Sequence, residues 1–428
     1  MAGDEDLDQG LSTMRVAVIG AGWAGLAAAV ELTERGAAVT LMEAGRVPGG
    51  RARSVEIDGR TLDNGQHILL GAYRETLALM RKVGADPELL FERRPLKVVD
   101  PGGFRLALPM LPAPLNVAWG LLGATAVDLP EKLKTALWMQ GVKWRKFRLA
   151  RDCSVSEWLD AAGQTGKLRR HLWEPLCLAA LNTSADTASA QIFANVLRDS
   201  LGSSRRSDTD LLLPRAPFGE LLPEPACRWL GEHGATLRFG QRVRSIIANT
   251  GSPRSTHDDS PFLVDGETFD AVILAVAPQH VPTLWPAMDI AFDYEPIATV
   301  YLQFSAKTAL PFPLLNLAGK YGQWVVDRGN GLFACVISGH GEWERLDDAA
   351  LVHALQDELG LGETASWQQV IREKRATFRC RPQQARPDHR TADPRVFLAG
   401  DYTWADYPAT LEGAVRSGLR AARAVPLA

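Results

Sequence analysis

Three groups of residues in this chain have the types and spacing to do chemistry. In the first, Gly20, Gly22 and Gly25 keep a G-x-G-x-x-G spacing, with Trp23 and Ala24 inside the loop. An apolar run at 16–19 precedes them and an Ala-rich stretch follows. A second apolar run, 39–43, ends at Glu43-Ala44. The first glycine permits a tight turn, the second lets backbone approach a pyrophosphate, and the third lets helix pack on strand. The helix start offers free N–H groups and a positive dipole end to phosphates. A carboxylate about 20 residues on accepts ribose hydroxyls. These features together predict a bound dinucleotide; a chance Gly-rich turn leaves Glu43 at a strand end unexplained.

The second group follows closely. Gly49-Gly50-Arg51 is a tight loop carrying a cation, placed to lie along a pyrophosphate. Asp63-Asn-Gly-Gln-His67 then leads into an apolar run ending at Tyr73. His67 and Asp63 are candidate proton donors, with a structural histidine and a turn cap as the plainer readings. The third group lies near the C-terminus, where an apolar strand at 395–399 ends in Gly400-Asp401. Ligands of open α/β sheets sit at such carboxyl ends. Asp401 could hold the ribityl hydroxyls of a flavin, and the start of a helix over 411–422, with Leu411 at its head, could face the pyrimidine ring. Tyr402, Trp404 and Tyr407 follow at once and are candidates for cation stabilisation or for lining a substrate tunnel. Asp406, between them, reads more simply as an exposed loop carboxylate. Val243, opening a predicted strand at 243–248, completes the candidate cofactor contacts.

The elements that must position these groups alternate strand and helix, so the fold class is α/β. The 428 residues are ample for more than one domain. A Rossmann-type nucleotide-binding domain is expected from 14–90, 211–285 and 376–428. It is interrupted by a helical cap at 91–210, with helices at 131–149 and 155–172, and by a sheet portion at 286–375. An amphipathic helix is expected at 218–233 and a hairpin at 262–269. Further strands are expected at 236–239, 270–277, 298–304 and 332–338, and a helix at 347–359. Residues 1–13 read as a disordered extension and 249–260 as a polar linker. The acidic, polar start has neither the basic residues nor the apolar stretch of a signal peptide.

Composition removes several function classes. A net charge of −3 gives no basic face for nucleic acid. The cysteines at 153, 177, 227, 335 and 380 form no C-x-x-C pair, so neither a metal site nor a disulfide framework is indicated, and a reducing, cytoplasmic setting fits. Residues 106–127 carry no charge, yet Pro109, Pro112 and Pro114 interrupt them. They read as the wall of an apolar pocket or as a patch dipping into one leaflet, with a true transmembrane helix as the lesser alternative. Lys132, Lys134, Lys143, Arg145, Lys146, Arg148 and Arg151 lie among Trp138, Trp144 and Phe147, which suits an anionic bilayer surface on the inner face of the cell membrane. An ordinary amphipathic helix with snorkelling cations reads equally well.

The fingerprint with Glu43, the Gly49-Gly50-Arg51 loop and the C-terminal Gly-Asp…Glu-Gly-Ala-x-x-Ser-Gly segment together resemble the amine oxidase/phytoene desaturase superfamily of FAD-dependent flavoproteins. The match brackets nearly the whole chain. Within it, 63–73, 173–183 and 400–415 resemble the squalene-associated desaturases called hydroxysqualene dehydroxylases. The resemblance implies FAD, a long apolar isoprenoid substrate, peripheral membrane contact, and reduction of hydroxysqualene to squalene in bacterial squalene and hopanoid synthesis. Amine oxidases carry an aromatic cage residue where this chain has Thr410, and covalent-flavin members use a cysteine in a Gly-Gly-Cys setting that Cys380 lacks. The implied FAD is therefore non-covalent. A carotenoid-type desaturase running the flavin in the oxidising direction is the main alternative; a flavin amine oxidase or a non-redox prenyl-lipid escort protein are lesser ones. Only one dinucleotide fingerprint occurs, so the electron donor binds without a recognisable domain or is another protein.

Overall fold

A computed structural model describes residues 13–99, 102–248, 262–317 and 319–427. The expected extension over 1–13, Thr13 apart, and the linker at 249–260 lie outside the described residues. A five-stranded parallel sheet organises the nucleotide side, in the spatial order Thr236–Phe239, Ala38–Glu43, Arg15–Ile19, Ala271–Leu274, Val396–Leu398. Its central strands are buried on both faces, which is why they read as unbroken apolar runs. The helix Trp23–Glu34 packs on this sheet and against the C-terminal helix Leu411–Ala424. That crossing is close: a Cβ on Gly418 would stand 2.1 Å from the Ala24 carbonyl oxygen.

A second, antiparallel sheet of five strands runs Leu314–Asn316, Trp324–Asp327, Leu332–Ser338, Tyr294–Gln303, Trp367–Phe378. Side chains alternate across it. Ile297, Thr299, Trp324, Val336, Ile371 and Glu373 face a large cavity, while Ala298, Val300, Phe333 and Cys335 pack with the helix Asp348–Leu359 behind. Pro296 interrupts the long central strand. It has no N–H for the ladder, and the register with Trp367–Phe378 jumps from Glu295↔Thr377 to Ile297↔Glu373.

Several expected boundaries move, each for a local reason. The helix expected over 218–233 breaks at Leu222, φ −142°, because Pro223 pushes its predecessor out of the helical region. The helix expected over 131–149 is Leu129–Trp144; Lys146 and Phe147 then turn left-handed. The one expected over 155–172 stops at Ala161 and resumes as a single π turn, Arg169–Trp173, leading into Glu174–Leu181. The strand expected from 243 begins at Ile246, because the Asp265 carboxylate takes the N–H groups of Arg244 and Ser245. The region expected to be a helical cap opens with short strands at Phe91–Arg94, Lys97–Val99 and Arg105–Ala107.

The uncharged stretch 106–127 does not wall the cavity, which corrects that reading. Leu106, Leu108, Leu121 and Ala124 fill the core of the cap region instead. Met110, Leu115, Trp119 and Leu122 point outward beside Leu129, Leu133, Leu137 and Trp144 of the next helix. Trp138 turns inward onto Trp158 and Trp173, with ring centroids 4.9 and 5.4 Å away. Among the described residues no helix is long and apolar enough to cross a membrane.

Candidate active site

The dinucleotide loop is closed by its own backbone. Gly20 N–H donates to the Met42 carbonyl at 2.7 Å, and Gly49 N–H to that of Ala21 at 2.8 Å. The Glu43 carboxylate accepts from Ala21 N–H and Gly45 N–H, each at 2.7 Å, which fixes it at the strand end. The three glycines do different work. Gly20 has φ +107°, and a Cβ there would strike the Ala275 carbonyl at 2.5 Å. A Cβ on Gly25 would stand 1.8 Å from the Gly20 oxygen, so this residue serves helix–strand packing and does not line the cavity. A Cβ on Gly22 meets nothing nearer than Gly50 Cα at 3.9 Å: the space before it is the cavity.

This cavity, of about 790 Å³, extends from the loop to the antiparallel sheet. Gly20, Gly22, Trp23, Ala24, Glu43, Ala44, Gly50, Arg51, Val243, Gly400, Asp401 and Leu411 all line its nucleotide end. Arg51 donates to Asp401 at 2.6 Å and to the Ala376 carbonyl at 2.7 Å, joining both nucleotide-side motifs to the second sheet. Burial alone would lower the guanidinium pKa, but Asp401 foremost, then Tyr294 and Glu373, outweigh it and hold it above its ordinary value. The residues fit a flavin dinucleotide. A backbone cradle without side chains, a helix start for phosphate, a fixed carboxylate for ribose and a second carboxylate across the cavity are all present. None of the five cysteines lines the cavity.

Beyond the cradle the wall turns apolar. Leu172, Pro175, Leu176, Ala179 and Ala180 approach from the cap and Ile297, Trp324, Val336 and Ile371 from the sheet. Asn182 ends the cap helix in a left-handed conformation, φ 47°, and donates to Thr377 Oγ1 at 2.9 Å. Thr183 Oγ1 accepts from Cys380 N–H at 3.1 Å. Residues 173–183 thus tie the cap to the end of the Trp367–Phe378 strand.

The candidate catalytic residues divide. His67 lines the cavity, edge-on to Phe218 at 5.1 Å. Desolvation first, then the nearby Arg51 charge, lower its pKa to about 4, so the imidazole is neutral at pH 7. It can offer an N–H but carries no extra proton. Asp63 is buried outside the cavity lining, pairs with Arg328 at 3.1 Å and accepts from Phe218 N–H at 2.8 Å. Burial raises its carboxyl above the usual range despite Arg328. Its position is that of a tie between segments.

Tyr402 and Tyr407 line the cavity. Tyr402 donates to the Val276 carbonyl at 3.3 Å; Tyr407 donates to Asp199. Trp404 does not line it: its carbonyl accepts from Arg386 at 2.9 Å and Arg420 covers its ring at 4.8 Å. Asp406 is also off the cavity, its carbonyl taken by Asn195 at 3.0 Å.

Sequence reasoning missed Asp199, Tyr73 and Glu373, which line the cavity. Burial opposes ionisation of Asp199, but Arg198 at 2.6 Å and the Tyr407 hydroxyl hold its pKa below the ordinary value. Tyr73 was visible as the end of the 63–73 motif. Glu373, among charged neighbours in a strand, carried no signal.

A family model for flavin containing amine oxidoreductases matches residues 23–426. Hydroxysqualene dehydroxylases from Rhodopseudomonas palustris and Sinorhizobium fredii are each 30% identical to this chain, covering 95% of it and 97% of their own length. A zeta-carotene desaturase from Synechocystis sp. is 26% identical over 96% of this chain and 97% of its own. Among solved structures, an oxidoreductase from Methanosarcina mazei aligns with a TM-score of 0.69 at 16% identity, covering 95% of this chain and 99% of that one, a likeness of fold.

Proposed function

Since the chain belongs to the flavin-containing amine oxidoreductase family and, within it, to the hydroxysqualene dehydroxylases, we propose that it reduces hydroxysqualene to squalene on non-covalently bound FAD. The observation that carries this reading beyond the family is the cavity, which joins a dinucleotide cradle to an apolar chamber. Reduced flavin supplies hydride. The protein must hold a long isoprenoid chain, help the allylic hydroxyl leave as water, and shield the resulting cation from solvent. The apolar walls from cap and sheet serve the first and third tasks. Tyr402 and Tyr407 offer aromatic faces near a cation. The neutral state of His67 suits the site, because an imidazolium there would repel that cation. Gly20, Gly22, Glu43, Arg51, Gly400 and Asp401 are assigned to FAD, with Trp23, Ala24, Gly25, Ala44, Gly50, Val243 and Leu411 supporting them. The absence of a cysteine from the cavity wall supports non-covalent binding.

The outward-facing Leu115, Trp119, Leu122, Leu129, Leu133 and Leu137, with Lys132, Lys134 and Lys143 around them, support peripheral docking on the inner face of the cell membrane, where an apolar substrate resides. Anaerobic incubation of chemically reduced enzyme with hydroxysqualene or phytoene tests the reaction. Squalene formed from the alcohol is expected; new conjugated double bonds in phytoene would replace this reading with a desaturase.

A further inference from the structure

Four carboxylates line the cavity among the described residues: Glu43, Asp199, Glu373 and Asp401. Three are committed. Glu43 is fixed by two backbone N–H groups, Asp401 by Arg51, and Asp199 by Arg198 and Tyr407. Glu373 differs. Its Oε1 accepts from Arg375 N–H at 3.1 Å, two residues along its own strand. The half-buried residue itself lines the chamber.

The position has a structural cause. Pro296 cannot complete the ladder, so residues 374–376 bulge opposite it, immediately after Glu373. Two polar groups of the bulge are held by side chains. Glu373 takes the Arg375 N–H, and Arg51, which also holds Asp401, takes the Ala376 carbonyl. The bulge therefore joins the flavin cradle to the chamber floor, with Glu373 at the junction. Directly across the strand pair is Ile297, and the next pair on the same face is Thr299↔Ile371. Thr299 Oγ1 is buried and finds no hydrogen-bond partner among the described residues. A carboxyl group and an unpaired hydroxyl thus sit on adjacent rows of a mainly apolar floor.

Resting on the reading above, we propose that Glu373 is the catalytic acid: it protonates the allylic hydroxyl and its carboxylate then faces the cation. The step balances. The proton passes from the Glu373 carboxyl group to the hydroxyl oxygen, the C–O bond breaks with its electron pair on oxygen, and water, an allylic cation and the Glu373 carboxylate result. One group lowers the barrier to leaving and then opposes the charge that leaving creates, in a chamber of low dielectric.

The test uses flavin-loaded, chemically reduced enzyme and Glu373→Gln. Glutamine keeps an acceptor for Arg375 N–H, so the bulge stays, but it has neither proton nor charge to give. Turnover of hydroxysqualene should fall by about a hundredfold or more, with KM within about threefold and flavin content unchanged. Glu373→Asp should recover part of the rate. A squalene analogue with an ammonium nitrogen at the carbinol position should bind the wild-type protein about tenfold more tightly than Glu373→Gln, while squalene binds both alike. Turnover by Glu373→Gln within about threefold of wild type, or equal affinity for the ammonium analogue, would overturn the assignment. So would loss of rate in step with loss of flavin or of squalene affinity, which marks support of the fold. A wild-type enzyme that leaves hydroxysqualene untouched refutes the functional reading instead, and the ammonium comparison still judges Glu373 as a facing charge.

Discussion

Substituting Gly22 with valine should remove the cofactor without removing the fold. Gly22 has φ −73°, which valine tolerates, and the nearest atom to an added Cβ is Gly50 Cα at 3.9 Å. Nothing in the protein crowds the added Cβ. What it occupies is the space before the helix Trp23–Glu34, where on the proposed assignment backbone N–H groups would meet the pyrophosphate. Holding the phosphates away by one side chain forfeits roughly two charge-assisted hydrogen bonds, each worth about 1.5–3 kcal/mol. The sum, about 3–6 kcal/mol, weakens FAD binding on the order of 10²- to 10⁴-fold. The ratio of flavin absorbance to protein should therefore fall close to zero after purification, and fluorescence titration with FAD should give the weakened Kd. The flavin-free variant should unfold at the same denaturant midpoint as flavin-free wild type. Gly25→Ala is the contrast: its Cβ would lie 1.8 Å from the Gly20 oxygen, so the fold itself should suffer. A Gly22→Val protein that stays yellow at full stoichiometry would refute the assignment of this loop to the pyrophosphate.

Two further outcomes follow from the same geometry. Glu412 is fully buried and accepts from Thr76 N–H at 2.9 Å, Thr76 Oγ1 at 2.7 Å, Glu75 N–H at 3.2 Å and Arg416 at 2.8 Å. Glu412→Ala strands all four donors and should cost about 3–5 kcal/mol, read as a lowered midpoint of chemical unfolding; a midpoint unchanged from wild type would show that the donors find other partners. Trp119 and Leu137 are 65% and 75% exposed, so Trp119→Glu with Leu137→Glu should leave folding intact and shift the protein from anionic vesicles into the supernatant on sedimentation. Unchanged co-sedimentation would remove this face from the membrane assignment.

The parts legible in the sequence were those whose physics is local. A G-x-G-x-x-G turn between strand and helix, with a carboxylate ending the next strand, is dictated within one stretch of chain, and Gly20, Gly22 and Glu43 do line one end of the cavity. The distant Gly400-Asp401 segment was legible for the same reason: a strand buried on both faces must end in a loop over the sheet's carboxyl edge. What failed to show was set by pairing between remote segments. Asp63 resembled a proton donor because its partner, Arg328, lies far along the chain. Trp404 stood between two cavity tyrosines in sequence, yet Arg386 and Arg420 draw it away. The uncharged stretch 106–127 could be called apolar, but only packing decided that its outward residues miss the cavity. Glu373 is the sharpest instance. Alone, it is one acid in a charged strand. It reaches the chamber because Pro296, in another strand, lacks an N–H and forces the bulge that follows it. Charge on the chamber floor is thus specified by an absent hydrogen bond elsewhere, a relation that spacing along one segment does not encode.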